Sequence, residues 1–312
     1  LPPMEKNHTW PPTLPHLLKA CTSPTENELV WAVGSPPMIE GQAIGTERHL
    51  DGEFFEDARQ DLDRWVHDEK RLPLAELDVL GSKTMRLGHR FERLIQRWFQ
   101  EHPEWTVHAK NEVVQLGKQT VGEIDLLAER NGKWTHFELA CKFYLNANRS
   151  STWSSWIGLD PTDSLERKLI KFDRQLALTQ LEKVQPWLAD RDWQVDAHRI
   201  WLKGWFFQHV RDLAHPVLPH HHALHCCVGW WSHLKDWPTI WSPSSSWIAL
   251  QPAHWLRTQH RTGDITLLIR ANDVKELLAD RRALMVAQAE WDGSDWVETS
   301  RGVLVQNKWP KE

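Results

Sequence analysis

Apolar and polar residues alternate on both sides of Asn131-Gly132, through residues 120–129 and 133–145. A period of two is the mark of a strand, and Asn-Gly between two such runs predicts a two-residue type I′ hairpin. In that register Asp125 stands directly opposite Glu138. Ile124, Leu126, Phe137, Leu139, Cys141 and Phe143 share one face, read as the packed one. Glu123, Asp125, Glu138, Ala140 and Lys142 share the other.

A helical period surrounds this hairpin. Leu87, Phe91, Leu94, Ile95, Trp98 and Phe99 form one stripe within 84–100, and Pro103 stops that helix. Leu165, Leu169, Phe172, Leu176 and Leu181 give 163–189 a broad apolar side, with Pro186 as a kink or an end. Residues 53–69 and 73–80 read as helices, 105–116 as a strand, and 193–203 as a fourth strand extending to Phe207. Residues 1–25 read as an irregular lead-in, 26–33 as a helix or short strand, 34–46 as a Gly/Pro loop, and 146–162 as a polar loop. The order is helix, three strands, long helix, strand. It predicts an α/β core with a central mixed sheet flanked by helices.

The C-terminal third is less periodic. Residues 211–246 show no clean period, 247–258 fit a helix or a strand, 264–270 a strand, and 273–280 a helix. Residues 283–291 and 301–306 read as strands. The expected division is an N-terminal extension over 1–80, a core over 81–210, and a Trp/His-rich elaboration or small accessory module over 211–312.

Composition narrows the class. At 312 residues, with 41% hydrophobic and 25% charged positions, the chain has the make-up of a globular protein. No stretch is long and apolar enough to span a membrane, and no secretory signal is visible. The chain opens LPPMEK, so Met4 offers a start position with Leu1–Pro3 as a remnant. Four cysteines make no disulfide framework for this length, which points to a reducing, cytoplasmic setting. The net charge of −5 is unlike a nonspecific nucleic-acid coat, although bound metal and local charge govern a small site more than the total does. Most of the 21 tryptophans are expected in or near the core.

Opposed Cβ atoms on paired strands lie about 4.5–5.5 Å apart. Two carboxylates held that close repel unless a cation lies between them. Asp125 and Glu138 therefore read as a divalent-metal site, with Lys142 two pleats along to position a water or meet phosphate charge. The alternative is a solvated face whose charges only prevent edge pairing. Glu92 reads either as a solvated helix residue or as a group turned toward the sheet edge, and Glu123 as an auxiliary or rim carboxylate. Lys168, Lys171 and Gln175 lie on one helical face, near Arg167 and Arg174, and suit phosphate contacts or a plain solvated face. His215, His220, His221, His222, His225, Cys226, Cys227 and His233 offer zinc-type ligands, but HHxxHCC matches no defined finger, so satisfied surface histidines are expected. Walker, dinucleotide, HExxH and Gly-x-Ser-x-Gly motifs are absent.

The segments RLGHRFERLIQRWF (86–99), VGEIDLL (121–127), HFELACKFYL (136–145) and LERKLIKFDRQL (165–176) resemble the DUF1853 family, which is placed in the PD-(D/E)XK nuclease-like superfamily. The resemblance implies a restriction-endonuclease-like core with a four-stranded mixed sheet. It also implies a Mg²⁺- or Mn²⁺-dependent cut of a phosphodiester, usually in DNA. Glu92 matches the acid of the first core helix, Asp125 the central aspartate, Glu138 the second strand acid, and Lys142 the lysine. The Leu139 carbonyl is implied as a further metal ligand, and Gln175 as the polar residue of the following helix. The chain departs from acid-x-Lys at Ala140, which holds the usual lysine position. Three readings follow: a metal-dependent nuclease, a catalytically silent nuclease fold that binds nucleic acid or a protein, and a regulatory protein whose Trp-rich part binds a partner.

Overall fold

The computed structural model describes residues 14–40, 52–68, 85–240, 246–257, 260–261, 268–269, 272–291, 293 and 296–310. The helix expected over 73–80 lies outside them. The first half supplies helices α1 (Leu14–Lys19), α2 (Pro24–Gly34), α3 (Gly52–His67) and α4 (Leu87–Glu101), then strands β1 (Thr106–Leu116), β2 (Gln119–Arg130) and β3 (Lys133–Asn146). After β4 (Trp156–Ile157) come α5 (Leu165–Ala177), α6 (Gln185–Ala189), β5 (Ala197–His209), β6 (Cys227–His233) and α7 (Trp237–Ile240). The chain continues with β7 (Ser246–Leu250), β8 (His260–Arg261), β9 (Leu268–Ile269), α8 (Asp273–Leu278), β10 (Ala283–Trp291) and β11 (Trp296–Val305).

The strands form one mixed sheet in the order β1-β2-β3-β5-β6-β11-β10-β7-β9. β1, β2 and β3 are antiparallel, while β3-β5, β5-β6 and β6-β11 are parallel. Helices cover both sides. On one, Leu126, Phe137, Leu139, Trp201 and Trp205 pack with residues of α2, α3 and α4. On the other, Ala140, Tyr144, Ile200 and Leu202 pack with Leu165, Leu169, Phe172 and Leu176 of α5. This is the α/β layering that the alternating periods predict. Trp31, Trp156, Trp201, Trp205, Trp230 and Trp247 are wholly buried, in line with a mainly structural use of tryptophan.

Local sequence explains the helix ends. Ser23 and Ser164 accept from the amides of Glu26 and Arg167, capping α2 and α5, and Pro24 follows at a first-turn position where its missing N–H costs nothing. Buried Lys203 donates to the carbonyls of Val33 and Ser35 at the end of α2, and its ammonium lies 3.9 Å from the Phe55 ring centroid.

One expectation changes, and two open alternatives are decided. The long helix of 163–189 is broken: α5 ends at Ala177, and 3-10 turns precede α6. Thr179 turns its hydroxyl inward to two histidines, and the Gln185 side chain takes its carbonyl. Residues 26–33 are helix, and 247–250 are strand. β6 escapes a periodicity search because Cys227, Gly229, Trp230, Trp231 and Ser232 are all buried, and a parallel strand covered on both faces has no alternation to detect.

Gly204 has φ +144° and pairs with Lys142, and a Cβ there would overlap the Lys142 carbonyl oxygen. Gly204→Ala should therefore cost at least about 2–4 kcal/mol, read as a lowered midpoint in urea unfolding.

Candidate active site on β2, β3 and α5

The hairpin forms as the Asn-Gly signal requires. Asn131 and Gly132 have φ +55° and +75°, and Leu126 pairs with Phe137 in the predicted register. The described β2–β3 ladder stops at that pair. Beyond it the Asp125 side chain takes over from the backbone: its Oδ2 accepts from the Leu139 amide at 2.9 Å. Ile124 consequently leaves the packed face assigned to it and groups with Val114, Leu178 and Val184.

The face bearing Asp125 and Glu138 is covered at its centre, with Asp125 half-buried and Glu123 exposed at the rim. Glu138 is 0% exposed, and Ala140 is buried beneath α5. Glu138 Oε1 lies 3.2 Å from His136 Nε2, whereas Oε2 is buried without a donor. Burial raises the pKa of both acids. Asp125 is pushed up to about 7, by burial first and the Glu138 charge second. Glu138 is raised by burial against the opposing pull of Lys168 and Lys171. Glu92, on α4, is raised to about 7 by burial and then by the Asp125 charge. The three acids thus share one electrostatic neighbourhood.

The cation that acts on all three is Lys168 of α5. Its own pKa is lowered, by burial and then by the Lys142 charge. Lys142 Nζ is engaged elsewhere, 2.7 Å from Asp163 Oδ2. Lys171 follows Lys168 by three residues and Gln175 by seven on the same helix, and the buried Gln175 Oε1 has no hydrogen-bond partner.

A buried polar chain supports Glu138. His198 Nε2 lies 2.8 Å from Thr179 Oγ1, which lies 3.3 Å from His136 Nδ1. Burial holds the His136 pKa down to about 4, so the imidazole is neutral and carries one proton. With that proton on Nε2, His136 donates to Glu138, Thr179 donates to His136 and His198 donates to Thr179. Gln96, one turn after Glu92, donates to Asn111 Oδ1 at 2.8 Å and to the Asp125 carbonyl at 3.0 Å, tying α4 to β1 and β2 beside the acids. His136, Thr179, His198 and Gln96 escaped the sequence reading. Only His136 carried a signal, since alternation places it on the Glu138 face two residues away.

Oxygen donors, one of them an orphaned buried carboxylate atom, suit a hard divalent cation. The fit is incomplete in one respect. Among the described residues, the group that brings its ligand atoms within 4.8 Å of one another is His209, His233 and Asp236, at the ends of β5 and β6; the acidic trio is spread more widely. Of the His and Cys residues weighed as zinc-type ligands, only His233 belongs to that group. His220 bonds Ser151, His222 bonds the Pro219 carbonyl, and Cys226 and Cys227 are buried thiols.

The architecture defines an α/β protein with a large mixed sheet, a partly buried acidic cluster and a separate His/His/Asp group. The family model described as "Domain of unknown function (DUF1853)" matches residues 27–305, and the chain belongs to that family. No curated protein and no solved structure matches it. No helix of the described residues is long and apolar enough to cross a membrane.

The raised acids give a pH dependence with a definite sign. Asp125, at about 7 when folded against 3.8 as a free group, favours the folded state while protonated; that contribution is present below about pH 4 and lost as pH rises toward 7. Metal-free protein should lose melting temperature across that window, and Asp125→Asn should flatten the loss. Added Mg²⁺ should restore stability at pH 8 in the unaltered protein but not in the variant, as read by thermal unfolding.

Proposed function

We propose that this protein is a metal-dependent nuclease that hydrolyses phosphodiester bonds, with DNA as the substrate. The observation that carries the reading is Glu138, wholly buried with one carboxylate oxygen lacking a donor, beside the half-buried Asp125 and with Lys168 as a neighbouring cation. Asp125, Glu138 and the Leu139 carbonyl would hold Mg²⁺ or Mn²⁺, and Glu92 would swing in from α4 to complete the oxygen set. The ion would lower the pKa of a bound water and offset charge on the phosphate.

The chain's own groups do the rest. The Leu139 amide and the His136 chain hold Asp125 and Glu138 in place, so the movement on binding falls to Glu92. Lys168 takes the role the resemblance gave to Lys142: it sits by the acids, and its lowered pKa suits it to orient a nucleophile or to meet phosphate charge. Lys142, paired with Asp163, tunes Lys168 by repulsion. Gln175 offers its unpartnered oxygen to a water or to the substrate. Exposed Lys171, Arg167 and Arg174 on α5 would track the phosphate backbone.

A second reading, a catalytically silent nuclease fold that binds nucleic acid or a protein partner, is favoured by one observation. Ala140 stands where acid-x-Lys has its lysine, and it is packed under α5.

The test is cleavage of labelled single-stranded, double-stranded and branched DNA, and of RNA, with Mg²⁺ or Mn²⁺ and an EDTA control. Cleavage abolished by EDTA and by Asp125→Ala supports the nuclease; binding without cleavage supports the silent fold. Lys168→Ala should lower the cleavage rate about 100-fold or more, and Lys142→Ala far less. The reverse ranking would return the lysine role to Lys142.

A further inference from the structure

The second cluster lies far from the acids. Glu138 pairs with Ile200, and His209 stands nine residues further along β5, on the order of 30 Å at about 3.3 Å per residue. His209 ends β5, His233 ends the neighbouring parallel strand β6, and Asp236 closes the 3-10 turn that follows. Two adjacent parallel strands ending side by side present their last side chains together.

The rings are held in place. Trp231 packs edge-on against His209 at 4.6 Å between centroids and against His233 at 5.2 Å. Trp231 is itself anchored, donating from Nε1 to the Asn146 carbonyl at 3.1 Å. His233 Nε2 lies 3.0 Å from the Trp309 carbonyl, so Nε2 carries the proton and Nδ1 keeps its lone pair. A histidine that donates its other N–H to a backbone carbonyl has the arrangement metal-ligating imidazoles adopt, because that bond fixes both tautomer and ring orientation.

We infer that His209, His233 and Asp236 form a zinc site independent of the acidic cluster, one that joins the ends of β5 and β6 to the C-terminal segment at Trp309. Two imidazoles and one carboxylate are a zinc donor set, borderline in softness, whereas Mg²⁺ favours oxygen ligands throughout. Tetrahedral zinc, with bonds of about 2.0–2.2 Å, sets its ligand atoms roughly 3.4 Å apart. The present atoms, all within 4.8 Å, need only small side-chain rotations to close. Three protein ligands leave a fourth position for water or a further ligand.

Arg211 is the competitor for this site. Its guanidinium lies 3.5 Å from Asp236 Oδ1, and its amide donates to His209 Nδ1 over a long 3.3 Å. Zinc on either nitrogen of His209 breaks that amide bond: bound at Nδ1 it takes the lone pair, and bound at Nε2 it leaves the ring proton on Nδ1. The guanidinium is largely exposed, so its withdrawal from Asp236 costs little.

The experiment uses the full chain, stripped by a chelator and titrated with Zn²⁺ in competition with a chromophoric chelator, with Co²⁺ absorption reporting geometry. One tight equivalent is expected, undisturbed by excess Mg²⁺. Asp236→Asn, which keeps the side-chain shape, and His209→Gln should each weaken binding at least about tenfold. Arg211→Ala should tighten it about two- to fivefold by removing the competing charge. His222→Ala should leave it unchanged. Circular dichroism confirms that each variant is folded, and Asp236→Asn decides alone if His209→Gln is not. The inference is overturned if the unaltered protein binds no more tightly than Asp236→Asn, or if binding follows His222 instead. Neither result touches the acidic cluster, whose own test is cleavage.

Discussion

A wholly buried carboxylate beside a half-buried one sets the terms for the rest of this molecule. Asp125 and Glu138 are pushed upward in pKa by burial, and each has limited means of relief: a backbone amide for Asp125, and a neutral histidine and a helix lysine for Glu138. A buried charge left unpaired is among the most costly features a fold can hold. The hairpin and Glu92 of α4 add to that cost by crowding carboxylates together, and other groups offset it: Lys168 of α5, the Leu139 amide, and the His136 chain that Thr179 completes. Such concentration of perturbed acids and one perturbed lysine is the pattern of sites that do chemistry.

The sheet gives this cluster its rigidity. β3 and β5 pair in parallel over eleven residues, from Thr135 with Ala197 to Leu145 with Phe207. Both strands are buried on both faces, so neither can slip without moving apolar side chains on two sides at once. The C-terminal strands extend the same sheet beyond β6, and β11 lies parallel to it. The ends of β5 and β6 are thereby held side by side, which places the His/His/Asp group at one end of the sheet and the acids along its interior.

The chemistry of the two clusters differs for a physical reason. Oxygen ligands beside a lysine suit a hard cation and a phosphate, and imidazoles with a carboxylate suit a softer one. In each, one hydrogen bond fixes the state of one side chain: the Leu139 amide on Asp125, and the Trp309 carbonyl on His233.

Local signals in the chain determined a good deal. Asn131-Gly132 dictates a turn with two positive φ values, and that turn sets the register up to Leu126 with Phe137, the pair adjoining Asp125 and Glu138. The stripe from Leu87 to Phe99 and the strands Thr106–Leu116 and Lys133–Asn146 follow from periodicity, as does β5, which starts at Ala197 rather than at 193. The lysine whose charge reaches all three acids was not legible. Lys142 shares a strand face with Glu138, but Asp163, twenty-one residues away, draws it off, while Lys168 arrives on a helix that must first pack across the sheet. His136, Thr179 and His198 come from three elements, as do His209, His233 and Asp236 from the ends of two strands and a turn. Spacing along the chain carries the short-range geometry of one hairpin or one helix face. Which distant side chains meet is decided only when both faces of the sheet are covered, because burial is what forces each polar group to find its partner.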